Sequence, residues 1–241
     1  MAVTVIATAV TMSSCSQSKT SEQAVAATEE KYTIASEECD MTVGNVHFTQ
    51  SLNGAAQQTE ILGADSTMMR SEAKKDFFID PNGKDVMLAS PILLTEVDNT
   101  KPFTLTTHLA PGFTPDGTYT AGCLYVYVSP ERWLKMAFEQ DERGGHRVVT
   151  VRTEGTSDDN NHDLLTAGDV SFKISSDTNV IGFYYSVDGQ QWQLVRLFRN
   201  AYPEKLHLGI SAQCPGEGGS QTLFTGTSIT TEAVKSFRLG E

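Results

Sequence analysis

The chain has 241 residues, of which 39% are hydrophobic and 8% aromatic, and its 30 acidic and 18 basic residues give a net charge of −12. This negative charge repels phosphate backbones and anionic lipid surfaces, so we expect no nucleic-acid partner. No interior stretch is rich enough in proline, serine or glycine to act as a linker, so we expect a single large domain over residues 31–241.

The first residues resemble an export signal. An apolar run at 2–10 is too short to span a bilayer and is followed by small residues up to Ser14, directly before Cys15. This order resembles the lipobox of bacterial lipoproteins, which predicts a signal peptide over 1–14, acylation of Cys15 and a lipidated tether over 15–30. No Lys or Arg precedes the apolar run and Met12 stands where leucine is usual, so a plain cleaved signal or an uncleaved tail stays open.

A lipidated Cys15 would place the protein in the cell envelope of a Gram-negative bacterium, with the lipid anchor as its membrane contact. No acidic run follows Cys15, which favours the periplasmic side of a membrane over the outer surface.

Cysteine and histidine positions argue against disulfide frameworks and metal centres. After processing, Cys39, Cys123 and Cys214 remain, so at most one pair could form. There is no CxxC, no HExxH and no His/Cys cluster, so we expect neither a metal site nor a cofactor.

Alternating apolar and polar residues predict strands along most of the chain. Turn sequences such as 80–83, 144–145, 166–169, 187–190 and 216–219 separate them, and a turn of helix is possible near 60–63. The pattern predicts an all-β, antiparallel β-sandwich, with strands at 43–52, 77–79, 103–109, 124–128, 133–140, 147–153, 170–174, 180–186, 191–198, 206–213, 221–229 and 234–239.

The segment 132–139 shows two faces most clearly. Strand geometry places Trp133, Lys135 and Glu139 on one face and Leu134, Met136 and Phe138 on the other. The second set is a core face. The first set contains charged side chains that are costly to bury, so we expect its face to line a solvent-filled space or to bind a ligand.

A second candidate residue lies in the hairpin formed by 180–198. Its return strand places Arg196 among apolar neighbours, where a half-buried guanidinium needs an acceptor. Trp192 lies beside the Asp-Gly turn. A tryptophan at such a position is more typical of a residue that packs within the hairpin than of one that stacks on a sugar.

Several motifs in order resemble one known family: KDFFIDP at 75–81, AGCLYVY at 121–127, RWLKMAFE at 132–139, VVTVRTEGTSDDNN at 148–161, YYSVDGQQW at 184–192, LVRLF at 194–198 and LGISAQCPGEG at 208–218. The chain resembles, over about 44–229, the domain-of-unknown-function family that includes a fungal regulation-of-enolase protein. The resemblance implies a concanavalin A-like lectin/glucanase sandwich, a jelly roll with a convex and a concave sheet, and no established activity.

In such a fold, sugars generally lie along the concave sheet. The resemblance therefore implies a groove with a rim of aromatic and charged side chains: Tyr125, Tyr127, Trp133, Lys135 and Glu139. Asp158 and Asp159, in a predicted acidic loop at 157–161, could close one end of it. The same loop could equally be a capped polar turn or, less favourably, a calcium site.

Hydrolysis needs paired carboxylates, and Glu139 and Asp141 are the candidate pair. The third glutamate of the usual glucanase pattern would stand at Gly144, and Lys135 is expected to hold Glu139 ionised, which suits a salt bridge better than a proton donor. We therefore expect a non-catalytic carbohydrate-binding envelope lipoprotein. A glycoside hydrolase is the first alternative, and a structural or protein-interaction module is the second.

Overall fold

The computed structural model describes Met1 and residues 31–241. The predicted signal peptide, Cys15 and the tether lie outside the described residues. Within the described part there are 17 strands and no helix, and hence no helix able to cross a membrane. The strands are β1 (Ser36–Val43), β2 (Val46–Leu52), β3 (Thr59–Ile61), β4 (Ser66–Ser71), β5 (Phe77–Ile79), β6 (Val86–Leu88), β7 (Ile92–Asp98), β8 (Phe103–Pro111), β9 (Ala121–Ser129), β10 (Arg132–Gln140), β11 (His146–Glu154), β12 (Thr156–Leu165), β13 (Val170–Ser176), β14 (Val180–Ser186), β15 (Gln193–Arg199), β16 (Lys205–Gln213) and β17 (Ser220–Thr230).

The strands form two large antiparallel sheets and one small one. Sheet A has eight strands in the order β1-β2-β7-β16-β9-β10-β11-β12, and sheet B has seven in the order β15-β14-β13-β8-β17-β4-β3. β5 and β6 pair separately as a hairpin. The predicted fold class, an all-β antiparallel sandwich, is confirmed.

The main core lies between sheets A and B. From β10 it takes Leu134, Met136 and Phe138, each 0% exposed, and from sheet B it takes Phe172 and Phe183 among others. These are the residues that strand alternation assigns to the core face of 132–139, so this core-face assignment is confirmed.

Some sequence expectations about the strands are wrong. Residues 157–161 belong to the edge strand β12 and are not a loop, and Thr59–Ile61 is a strand where a helical turn was possible. Residues 234–239 are not a strand and end in a turn at 237–239. Alternation of apolar and polar residues does not predict β7, because β7 begins with three buried apolar residues in a row, as in a strand that is covered on both faces.

The side of sheet A that faces away from sheet B is called here the outer face. Strand register aligns its residues in rows across the sheet. Trp133 lies beside Tyr127 and Thr153, and Lys135 lies beside Tyr125 and Val151.

Residues 75–79, called here the strap, cross this outer face. At one end the backbone of Lys75 exchanges two hydrogen bonds of 2.8 Å with Cys214, directly after β16. At the other end the N–H of Ile79 donates to Ser157 Oγ on β12 at 3.0 Å. The strap therefore spans sheet A from β16 to its edge strand and divides the outer face in two.

Candidate functional site

The strap covers the aromatic side chains that the sequence assigns to a groove. The Phe77 ring packs edge-on against Tyr125, Tyr127 and Trp133, with centroid distances of 5.9, 6.3 and 5.3 Å. Trp133 and Tyr125 are 0% exposed, and Tyr127 is also buried. The expectation that these three rings line an open groove is therefore wrong, because a segment far away in the chain lies over them. They form a second hydrophobic core on the outer face.

Lys135 fastens the strap to the sheet. Its Nζ donates to Phe77 O at 3.0 Å, to Gln213 Oε1 at 3.0 Å and to Asp76 Oδ1 at 3.4 Å. Burial is the largest influence and opposes the charged form, but Asp76, Cys123, Glu139 and Asp159 together outweigh it, so the pKa of Lys135 is raised. An ammonium has three N–H groups, so Lys135 has none left to offer a ligand.

A pocket of about 240 Å³ remains open on the same face beside the strap. Its walls combine aromatic, aliphatic and carboxylate side chains with two amides, and they comprise Asp76, Phe78, Tyr119, Lys135, Glu139, Asp141, Glu142, Val149, Val151, Asp159, Asn161 and Gln213. Of the predicted site residues, Lys135, Glu139, Asp141 and Asp159 meet here.

Glu139 is the half-buried carboxyl group of the pocket. Its Oε2 accepts a hydrogen bond of 3.1 Å from Gln213 Nε2. Burial raises the pKa of Glu139 to about 8, and the carboxylates of Asp76 and Asp159 add to the effect, while Lys135 opposes it. The expectation that Lys135 holds Glu139 ionised is therefore wrong, because burial outweighs the attraction of the Lys135 ammonium, which donates its hydrogen bonds to Phe77, Gln213 and Asp76. Near neutral pH, Glu139 is a neutral acid that can donate.

Asp141 is a structural residue of the turn between β10 and β11. It accepts hydrogen bonds from the backbone N–H groups of Gly145 at 2.8 Å and Arg143 at 2.9 Å, and from Arg147 Nη2 at 3.0 Å. Burial opposes ionisation, but these donors outweigh it and the pKa of Asp141 is lowered. Asp141 follows the last residue of β10, so the predicted pairing with Glu139 on one strand does not occur.

The two predicted acidic residues of β12 point to opposite faces. Asp159 pairs with Val151 and lines the pocket, and its pKa is raised, mainly by burial. Asp158 pairs with Arg152 and does not line the pocket. The expectation that both aspartates close one end of a ligand groove therefore holds geometrically for Asp159 alone.

Arg196 also lies outside the pocket lining, on β15 of sheet B. Its guanidinium lies over the Phe198 ring at 4.9 Å, and its Nη1 is buried with no hydrogen-bond partner among the described residues. Burial and the neighbouring Arg152 lower the pKa of Arg196. In the part of the chain that the structure describes, the buried Nη1 lacks the acceptor that was expected, and Arg196 does not join the other predicted site residues.

Two aromatic walls of the pocket were missed by sequence reasoning. Phe78 follows Phe77 in the strap, so its ring points away from the buried side and towards the pocket. Tyr119 is 43% exposed and has a φ of 63°, a conformation that tyrosine rarely adopts. Such outliers cluster at binding sites, where the surroundings hold them in place. Neighbouring Phe residues in a strand could have pointed to Phe78, whereas nothing in the sequence marks Tyr119.

Gln213 connects the groups around the pocket. This side chain is 1% exposed, accepts from Lys135, and donates from Nε2 to both Glu139 Oε2 at 3.1 Å and Tyr119 O at 3.0 Å. The backbone N–H of Tyr119 donates to Gln140 O at 2.7 Å. These bonds hold the strained Tyr119 at the pocket rim and couple it to Glu139. Sequence reasoning missed Gln213 as well.

The described residues offer no group of three or more His, Cys, Asp or Glu side chains that could hold a metal ion. Cys39, Cys123 and Cys214 are free thiols, and burial raises the pKa of the fully buried Cys123. The chemistry available in the pocket is therefore hydrogen bonding, aromatic contact and proton exchange at Glu139.

Comparison of the fold with solved structures finds the same sandwich in several proteins. A functionally unknown protein from Saccharomyces cerevisiae has a TM-score of 0.65 and 21% identity, over 74% of this chain and 98% of the yeast chain. The GH43 BlXynB protein from Bacillus licheniformis has a TM-score of 0.59 and 17% identity, and the Bacteroides ovatus Xyloglucan PUL GH43B has 0.57 and 11%. In both of these, the match covers 82% of this chain but 39% of the other. At these identities the likeness concerns the fold.

A search of curated proteins finds no match. A family model, described as "Protein of unknown function (DUF1349)", matches residues 54–232, which is most of the sandwich. The chain belongs to this family.

Proposed function

We propose that the protein binds carbohydrate, without cleaving it, in the pocket between the strap and Tyr119. One observation carries the proposal. Two partly exposed rings, Phe78 and Tyr119, face the same cavity as the hydrogen-bonding groups of Glu139, Asp159 and Asn161.

This combination suits a sugar because a sugar has apolar and polar sides. Aromatic rings pack against the C–H surface of a pyranose, and carboxyl and amide groups hydrogen-bond its hydroxyls. The side chains of Val149 and Val151 supply an apolar floor. Glu139 adds a donor at neutral pH, so the pocket contains both donors and acceptors for hydroxyl groups.

The structural neighbours give this proposal secondary support. Two of them are GH43 proteins, one of them named for xyloglucan, so the fold occurs in proteins connected with polysaccharides. The present chain spans about two fifths of those proteins, so their whole-protein activities are not carried over.

Hydrolysis is the second candidate function, favoured by the raised pKa of Glu139, which suits a proton donor. A retaining mechanism also needs a free carboxylate about 5 to 5.5 Å away. Asp141 is held by two backbone N–H groups and by Arg147, which suits a turn cap and not a nucleophile. Binding therefore remains the preferred function.

A glycan array tests the binding function directly. For a captured oligosaccharide, Tyr119→Ala and Phe78→Ala should each weaken binding by about 1 to 3 kcal/mol, because few residues usually dominate such a site. Trp192→Ala, an aromatic residue that packs under Lys173 on sheet B, is the control and should leave affinity unchanged. If no glycan is retained, a structural or protein-interaction module replaces this proposal.

Glu139→Gln separates binding from hydrolysis. A neutral amide replaces a neutral acid of similar shape, so a binding protein keeps most of its affinity near pH 7, whereas a hydrolase loses nearly all turnover. Release of reducing ends from a polysaccharide panel by the wild type, abolished in the variant, would establish hydrolysis instead.

We also propose that the protein is an envelope lipoprotein, acylated at Cys15 and facing the periplasm of a Gram-negative bacterium. The support is the apolar run followed by Ser13, Ser14 and Cys15. A fatty-acid analogue should label the wild type and not Cys15→Ser. Equal labelling of both, or recovery of the wild type in the cytosol, contradicts the proposal.

A further inference from the structure

We infer that the pocket takes the end of a saccharide chain and excludes its interior. This inference rests on the proposed carbohydrate-binding function. It follows from the position of the strap, which turns what would be a continuous surface along sheet A into a pocket with one opening.

The strap forms one side of the pocket, to which it contributes Asp76 and Phe78. It reaches from Cys214, after β16, to Ser157 on the edge strand β12, so it crosses the full run of strands that carry the pocket. A polysaccharide lying along the outer face would have to pass through this backbone.

A ligand would have difficulty displacing the strap, because several independent contacts hold it. Lys135 binds both Phe77 O and Asp76, the Phe77 ring packs among three buried aromatic rings, and Lys75 forms a two-hydrogen-bond pair with Cys214. Phe77 is 0% exposed. Lifting the strap would remove two of the three hydrogen-bond partners of the Lys135 ammonium, leaving Gln213, and would expose the rings beneath it.

The other walls leave one direction open. Tyr119 stands on the loop before β9, and Asp141 and Glu142 belong to the turn after β10, so together they close the side opposite the strap. Asp159 and Asn161 are exposed residues of β12, which is the edge strand of sheet A within residues 31–241. The pocket therefore opens over the edge of sheet A.

The size of the cavity agrees with this arrangement. Its volume of about 240 Å³ lies below the roughly 300 to 1,000 Å³ of sites that enclose drug-sized ligands. The cavity therefore suits a terminal sugar residue and part of the next one. The rest of the saccharide chain would extend from the pocket across β12.

The experiment compares chain lengths and blocked ends on the purified protein. Xylo-, cello- and chito-oligosaccharides of increasing length, and the corresponding soluble polymers, are titrated by calorimetry, each with free ends, with a reduced reducing end and with a methylated non-reducing end. Expressed per mole of chain, affinity should stay within about threefold from the trimer upwards, and one of the two end modifications should weaken binding at least tenfold.

A matched pair of variants locates the chain on the protein. Tyr119→Ala should weaken every chain length equally. His207 lies on the outer face beside Tyr127 and does not line the pocket. The affinity of His207→Ala should therefore stay within twofold of the wild type for every chain length.

The outcomes separate the two proposals. Affinity that rises more than tenfold with length beyond the trimer, equal binding of polymers with both ends blocked, or a loss in His207→Ala confined to long chains overturns chain-end binding and leaves carbohydrate binding standing. Failure of the whole glycan panel to bind overturns both.

Discussion

The two parts of the outer face of sheet A belong to the same strands but have opposite properties. Under the strap, Trp133 and Tyr125 are fully buried and make a second core. Beside it, Glu139 and Asp159 line an open pocket together with Tyr119. Strand alternation assigns all the sheet residues to one face, yet a five-residue segment decides which of them pack and which can meet a ligand. The residues on one face of a sheet can therefore be assigned to a core or to a binding site only when the segments that cover that face are known.

The largest expected effect tests the buried part. Trp133→Ala should lower the free energy of unfolding by about 3 to 5 kcal/mol, as much as Phe138→Ala in the main core, because each substitution leaves a large cavity. Urea unfolding of both variants measures this. A loss below about 1 kcal/mol for Trp133→Ala would mean that its ring is not packed under Phe77, and the contrast between the two parts would fail.

The next effect tests the fastening of the strap. Lys135→Met should cost about 1 to 3 kcal/mol, because Phe77 O, Gln213 Oε1 and Asp76 lose a donor in a buried setting. The matched control is Lys205→Met, which removes an exposed ion pair with Glu96 and should cost about 0 to 1 kcal/mol. Equal losses in chemical unfolding would show that Lys135 does not hold the strap.

A third effect concerns the protonation of Glu139 in the pocket beside the strap. The pKa of Glu139 is about 8 in the folded protein and 4.5 ordinarily, so the folded state keeps a proton that the unfolded chain releases between these values. The free energy of unfolding should therefore fall as pH rises through this window, and the raised pKa of Asp159 acts in the same direction. Glu139→Gln should stabilise the protein more at about pH 8 than at about pH 5 in thermal unfolding. A pH-independent difference would show that Glu139 titrates normally.

The smallest effect concerns the strained rim of the pocket. At a φ of 63°, glycine is favoured over alanine, so Tyr119→Gly should be more stable than Tyr119→Ala by up to about 1 kcal/mol. Both variants should lose glycan binding alike, since both lack the ring. Greater stability of the alanine variant would mean that the backbone at Tyr119 does not adopt this conformation in solution.

Much of the architecture could be predicted from the sequence because alternation is a local signal. The two faces of β10 and the turns at 144–145 and 187–190 follow from neighbouring residues. The sequence predicts a loop at 157–161, within β12, because an edge strand that is mostly exposed on both faces needs no apolar alternation. The resemblance to a domain-of-unknown-function family, carried by motifs spread over the chain, agrees with the family match over residues 54–232.

The site was less predictable because it depends on contacts between distant segments. Glu139 is predicted from the alternation of its strand, and Asp159 from the acidic segment 157–161 beside the groove that the family resemblance implies. The burial of Trp133 depends on Phe77, 56 residues earlier in the chain. The position of Tyr119 depends on a backbone conformation held by Gln213, and the isolation of Arg196 depends on which sheet β15 joins.

The anchoring of the strap also bears on the order of folding. Its two ends bind partners at Cys214 and Ser157, which lie 139 and 78 positions further along the chain. Such long-range contacts form only after the intervening loops have been closed, at a cost in chain entropy. We therefore expect sheet A to assemble from β16 to β12 before the strap docks, and the pocket to be among the last parts of the molecule to acquire its shape.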